Sequence, residues 1–162
     1  MIRSILYATD LGLNAPYVLE HSLGLAGAFN AALHVVHVVE PMGLFAESVL
    51  KTYLDDAAID DIRHKGLSQV MAGIERQVLE GFRDEMADVT QHLEAIRSVH
   101  VLQGDPPHSI LNEARAVKAD MLVIGSHSYG GESGVPVGRT AARLIQLSSI
   151  PVYLVPMVQH RI

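Results

Sequence analysis

The sequence predicts an α/β fold, a doubly wound five-stranded parallel sheet in the order 3-2-1-4-5 with helices on both faces. Three observations predict it. Apolar runs of strand length alternate with stretches of helical periodicity along the chain. The runs "SILYA" and "MLVIG" are continuously apolar, as strands buried on both faces are. No repeat, low-complexity tract or linker interrupts the alternation, so residues 1–162 read as a single domain with enough chain for a substantial core. Parallel neighbours require a crossover, and the intervening helices supply it.

The first strand is "SILYA", 4–8, closed by the turn-like "TDLGLN". Asn14 and Pro16 then offer helix-start chemistry, and Ala15, Val18, Leu19, Ser22, Ala26 and Phe29 follow at helical spacing, with an end expected near Asn30. The second strand, "ALHVVHVVEP" at 32–41, is rich in β-branched residues that pack well on a pleated surface. A variable connection covers about 42–60. Beyond it Leu67, Val70, Met71, Ile74, Val78, Phe82 and Met86 predict a long amphipathic helix that tolerates Gly66, Gly73 and Gly81. "AIRSVHVL" at 95–102 is the third strand. Asp105 as N-cap and Pro106 at the first helical position open the next helix, whose buried face is Ile110, Leu111, Ala114 and Val117. "MLVIG" is the fourth strand, 138–147 the last helix, and "IPVYLVP" a fifth strand bracketed by prolines.

Composition removes several classes of function. A formal net charge of −6 and an isoelectric point near 5.8 argue against a binder of nucleic-acid backbones, which concentrates Lys and Arg on one face. The absence of cysteine excludes disulfides and thiolate metal sites. The start "MIRSILYATD" lacks the pattern of a signal peptide and no stretch has the length of a membrane span, which predicts a cytoplasmic protein with no membrane partner. His34 and His37 fall on opposite faces of one strand and cannot chelate a single ion together, while His108 and His127 are linked by nothing local, so no metal site is expected.

In the predicted strand order the winding reverses between the first and fourth strands, and ligands of such sheets bind at the carboxyl ends of the strands there. The turns that meet at that point are "ATDLGLN" and "GSHSYGGESGVPVGRT". The second is glycine-rich and stands between a strand and a helix start. It reads either as a cradle whose backbone N–H groups approach phosphate oxygens or as a surface turn.

The spacing Gly125, two residues, Ser128, nine residues, Gly138 resembles the nucleotide-binding loop of the universal stress protein family. "ILYATD", "LHVVHVVEP", "GDPPHSIL" and "PVYLVP" are similar to that family's first strand, second strand, third-helix start and last strand. The resemblance implies a Rossmann-like fold of the adenine-nucleotide alpha-hydrolase-like kind and a stress-response role. It also implies a site for an adenine nucleotide, ATP, ADP or AMP, with Mg as a companion of ATP. Carried over residue by residue, that site is Ala8, Asp10, Val38, Ile124, Gly125, His127, Ser128, Gly138, Arg139 and Thr140. Val38 and Ile124 would hold adenine, Asp10 would accept ribose hydroxyls, and His127 with the glycine loop would face the phosphates. Ala8 and Val38 also read as strand core, and Asp10 as a helix cap or turn residue.

Two positions depart from the family's nucleotide-binding pattern. Ser128 stands where the second glycine is expected, and Arg139 where a hydroxyl residue follows the last glycine. Ser128 keeps a backbone donor and adds a hydroxyl, Arg139 adds a fixed cation, and Thr140 supplies a hydroxyl one position later. The alternative is a nucleotide-free regulatory or interaction module of the same fold. Catalysis has less behind it: no Walker-type Lys, no "GxSxG" elbow and no spaced carboxylate pair is present, which leaves at most a slow ATP hydrolase with Asp10 as its candidate residue. A branched side chain at Gly125 is expected to block the path of sugar and phosphates. The apolar edge strand at 152–155 and the family resemblance both predict a homodimer through that strand, unless Met157 to Ile162 folds back over it.

Overall fold

The computed structural model describes residues 1–12, 14–40, 94–127 and 137–156, with short pieces at 52–53, 55–57, 76 and 80. Ser128, most of the connection at 42–60, the helix expected over 67–86 and the tail from Met157 lie outside the described residues. Five strands, β1 (Ser4–Ala8), β2 (Ala32–Val39), β3 (Ile96–Gln103), β4 (Met121–Gly125) and β5 (Val152–Val155), form one sheet in the order β3-β2-β1-β4-β5. Every neighbouring pair is parallel. The predicted fold class and strand order are both borne out.

Three described helices flank the sheet: α1 (Ala15–Phe29), α2 (Pro106–Ala116) and α3 (Arg139–Leu147). Side chains alternate across each strand, so the continuous apolar runs feed two separate cores. Ile5, Tyr7, Leu33, Val35 and Val123 pack with Val18, Leu19 and Leu23 of α1. Leu6, Val36, Leu122 and Ile124 pack on the other side with Ile110 and Ala114 of α2 and Ala141 and Leu144 of α3. Each fully buried Leu or Ile in these clusters stabilises the fold by about 1.5–3 kcal/mol relative to exposure.

The helix ends carry most of the differences from expectation. α1 stops at Asn30, which adopts the left-handed conformation (φ 51°, ψ 47°) that Asn tolerates at a helix C-terminus. Asn14 occupies the N-cap position but makes no side-chain cap bond, because its own backbone is helical (φ −89°, ψ −3°). The turn is closed instead by Ala15 N–H donating to the Gly12 carbonyl at 3.0 Å. Asp105 caps α2 as expected, accepting from His108 N–H at 3.3 Å. Only Ile110 and Ala114 of its expected apolar face are fully buried, with Leu111 and Val117 packed at the margin of the same core.

The end of the sheet opposite the predicted site is tied by Asp120. Its carboxylate accepts from Arg3 N–H at 2.8 Å and Ser4 N–H at 3.1 Å, and these two bonds hold its pKa below the usual carboxylate range. Asp120 N–H in turn donates to the Ser4 carbonyl at 2.8 Å, which fixes the register in which β1 and β4 run side by side toward their carboxyl ends.

Candidate functional site

The carboxyl ends of β1, β2 and β4 open into a cavity of about 720 Å³, closed from the other side by the first turns of α2 and α3. That volume is in the range of small-molecule sites. The cavity lies where the winding reverses, since α1 covers one face of β1 while α2 and α3 cover the other.

The turn after β1 is built from short side chains that bond to their own backbone. Thr9, 6% exposed, accepts from Leu11 N–H on its Oγ1 at 3.1 Å. Asp10 accepts from Gly12 N–H at 2.9 Å. These two bonds bend the chain tightly enough to place Leu11 at φ 59°, a conformation that costs a non-glycine residue about 1 kcal/mol. Of the two structural readings of Asp10, the turn is present and the helix cap is not. Its carboxylate remains exposed at the cavity rim. Beneath the turn the Tyr7 hydroxyl donates to the Ala15 carbonyl at 3.1 Å, and burial pushes its pKa well up, so the phenol stays protonated and acts as a prop between β1 and α1.

One wall of the cavity is apolar. Ala8, Val38 and Ile124 present it from the strand ends, and Ile110, Ala141 and Leu144 complete it from the helices. Ala8 and Val38 therefore join both descriptions offered for them, since they pack against the core and line the cavity.

The opposite rim is polar and is made where β4 passes into α3. Gly138 is the N-cap of α3, and its N–H donates to the Ser126 carbonyl at 2.7 Å, clamping the two ends of the loop together. A Cβ at Gly138 would sit 3.3 Å from that oxygen and 3.6 Å from His127 Cα, so only glycine fits there without displacement. Ser126 N–H donates to the Val155 carbonyl at 2.8 Å, and the His127 ring bonds Ser126 Oγ at 3.0 Å. Gly138, Arg139 and Thr140 bring a helix N-terminus, a guanidinium and a hydroxyl to one stretch of cavity wall. Free backbone N–H groups and the positive end of the helix dipole favour an anion at such a place. Asp10 and Glu40 line the β1 and β2 side of the same cavity, which makes it acidic at one rim and basic at the other.

Every residue the sequence singles out for ligand contact lines this one cavity, except Ser128, which lies outside the described residues. Sequence reasoning missed Thr9, Asn14, His37, Glu40, Pro106 and Ser126, which line it as well. The strand order carries a signal for them, because each follows or ends β1, β2 or β4, or begins α1 or α2. His34 and His37 have separate partners on opposite faces of β2, Ser98 Oγ at 2.7 Å and the Thr9 carbonyl at 2.8 Å. Burial first, and then the neighbouring His100, lowers the pKa of His34, so the neutral form that bonds Ser98 is favoured. Among the described residues no group of three His, Asp or Glu is arranged to hold a metal.

Fold and site together define an α/β domain of Rossmann-like architecture with an open cleft at its switch point. The chain belongs to the universal stress protein family, whose model matches residues 1–156. It is similar to the universal stress protein YxiE of Bacillus subtilis, at 26% identity over 96% of this chain and 99% of that one. Among solved structures it is similar to protein MJ0577 of Methanocaldococcus jannaschii, with a TM-score of 0.72 at 20% identity over 98% of this chain and 99% of the other. It is also similar to a universal stress protein solved in complex with cAMP, with a TM-score of 0.59 at 18% identity over 96% and 97% of the two chains.

Packing adds a second consequence to a side chain at Gly125, which lines the cavity. A Cβ there would meet Val18 Cγ2 of α1, itself a lining residue, at 3.3 Å, so an added side chain also presses on the helix. Gly125→Val should cost about 1–3 kcal/mol of stability through overpacking. Urea unfolding of Gly125→Val and of the double variant Gly125→Val/Val18→Ala tests this. The second substitution should recover much of the loss, and a loss that stays undiminished would contradict the contact.

Proposed function

We propose that this universal stress protein binds an adenine nucleotide in the cytoplasm and acts as a regulatory component of a stress response. The observation that carries the reading is the cavity's division into an apolar wall, an acidic rim and a basic rim at a helix N-terminus. A nucleotide has those three parts in sequence. Its base suits the slot between Val38 and Ile124, its ribose hydroxyls are donors that suit Asp10, and its phosphates suit Gly138, Arg139, Thr140 and His127. The similar protein solved with cAMP, itself an adenine nucleotide, supports the same reading. Mg would accompany ATP through its phosphates. Phosphate release that is indifferent to Asp10→Ala would remove the hydrolase reading altogether.

Arg139 decides between phosphate chain lengths. If its guanidinium meets the outer phosphates, Arg139→Ala weakens ATP binding by about tenfold or more while AMP changes far less, as for the loss of a charge-assisted hydrogen bond. Calorimetric titration of both ligands into nucleotide-free protein reads this directly. Equal losses, or tighter ATP binding, would contradict the assignment.

The second reading is a nucleotide-free module of the same fold, and it rests on Arg139 standing where the family's nucleotide-binding pattern has a small hydroxyl residue. Nucleotide found by mass spectrometry in protein purified under mild conditions would count against it. Under either reading we propose a homodimer through β5, which pairs with β4 on one side and is four residues long. Light scattering at micromolar concentration should give about twice the chain mass. A monomer, or a dimer untouched by Tyr153→Pro, would contradict that interface.

A further inference from the structure

His37 is not among the residues that the family's loop pattern singles out, yet it lines the same cavity as Val38 and Asp10. Its Nδ1 lies 2.8 Å from the carbonyl oxygen of Thr9. A carbonyl oxygen only accepts, so Nδ1 must carry the hydrogen. In the neutral ring the lone pair is then on Nε2. The Thr9 oxygen is a fixed reference for this choice. Thr9 N–H donates to the Val36 carbonyl at 2.9 Å, its hydroxyl holds Leu11 N–H, and the residue is buried. The tautomer is therefore set by the backbone of the turn after β1 and not by whatever enters the cavity. Among the described residues Nε2 has no hydrogen-bond partner.

The other polar groups of the cavity include further acceptors, among them Asn14, His127 and Thr140. Arg139 and the α3 N-terminus donate, and Asp10 and Glu40 accept as charged groups at the rim. A neutral acceptor of fixed direction rewards a ligand with an N–H or O–H at that point. It also penalises one without, since the ring nitrogen would be desolvated and left unpaired.

We propose that His37 is a specificity-determining residue whose Nε2 accepts a hydrogen bond from a hydroxyl or amine donor of the ligand. The proposal rests on the nucleotide reading above. An adenosine nucleotide carries three such donors, the ribose 2′- and 3′-hydroxyls and the exocyclic amine, and analogues that lack one each tell them apart.

His37→Asn keeps an N–H in the place of Nδ1 for the Thr9 carbonyl and removes the acceptor. His37→Gln carries a carbonyl out to the place of Nε2. Calorimetric titrations of wild type and both variants with ATP, 2′-deoxy-ATP, 3′-deoxy-ATP and purine riboside triphosphate form the test. One analogue should bind the wild type about three- to tenfold more weakly than ATP, the effect of one hydrogen bond. His37→Asn should bind ATP with that same loss and should no longer distinguish ATP from that analogue, while His37→Gln recovers part of the affinity. The proposal is overturned if His37→Asn binds ATP as the wild type does, or if the analogue losses are the same in wild type and variant. It is also overturned if no analogue differs from ATP in the wild type. A wild type that binds no ATP overturns the nucleotide reading itself and this proposal with it. Should His37→Asn fail to fold, His37→Gln against the same analogues decides, because an acceptor restored at Nε2 must preserve the discrimination.

Discussion

Burial of β1 and β4 on both faces is the constraint from which the rest of the molecule follows. Ile5, Leu6, Leu122 and Val123 are wholly inaccessible to solvent. Two adjacent strands of this kind need helices on each side, and a parallel chain can supply them only by crossing over one face before the reversal and the other face after it. The reversal leaves the carboxyl ends of β1 and β4 without a helix packed across them. The cleft is thus a by-product of covering the core, and its position owes nothing to any ligand.

The polarity of the cleft comes from which chain ends reach it. Strand ends on the β1 and β2 side bring Asp10, His37 and Glu40, whereas the passage from β4 into α3 brings Gly138, Arg139 and Thr140. The glycine at 138 serves the fold and the site with one property. Its lack of a side chain allows the 2.7 Å bond to the Ser126 carbonyl, and the same bond fixes where the helix N-terminus points. Of the three described non-glycine residues with positive φ, Leu11 lies beside the cleft, held left-handed by the bonds of Thr9 and Asp10.

The strand order was legible because it depends on pattern, continuous apolar runs and helical spacing, whereas the cavity-lining positions came from the rule for switch points together with the resemblance to the universal stress protein family. Asp105 was legible as a cap because its bond is local, and Asn30 as a helix end for the same reason. What was not legible depends on contacts distant in sequence. What a Cβ at Gly125 would meet is decided by Val18, more than a hundred residues away, and the tautomer of His37 by a carbonyl in the turn after β1. Asn14 has the residue type of a cap without its bond, because the turn at Gly12 had already set its backbone. Helical spacing over 67–86 is a pattern of the same kind as the others, but it falls outside the described residues, as does Ser128.

The central claim is that one cleft at the carboxyl ends of β1, β2 and β4 receives a nucleotide with its base on the apolar wall and its phosphates at α3. A crystal structure of the protein grown with ATP measures this most directly. The account predicts the adenine ring between Val38 and Ile124 and a phosphate oxygen within hydrogen-bond distance of the Arg139 guanidinium or the Thr140 hydroxyl. A ligand bound elsewhere, or an Arg139 side chain folded across the cleft in its place, would contradict it.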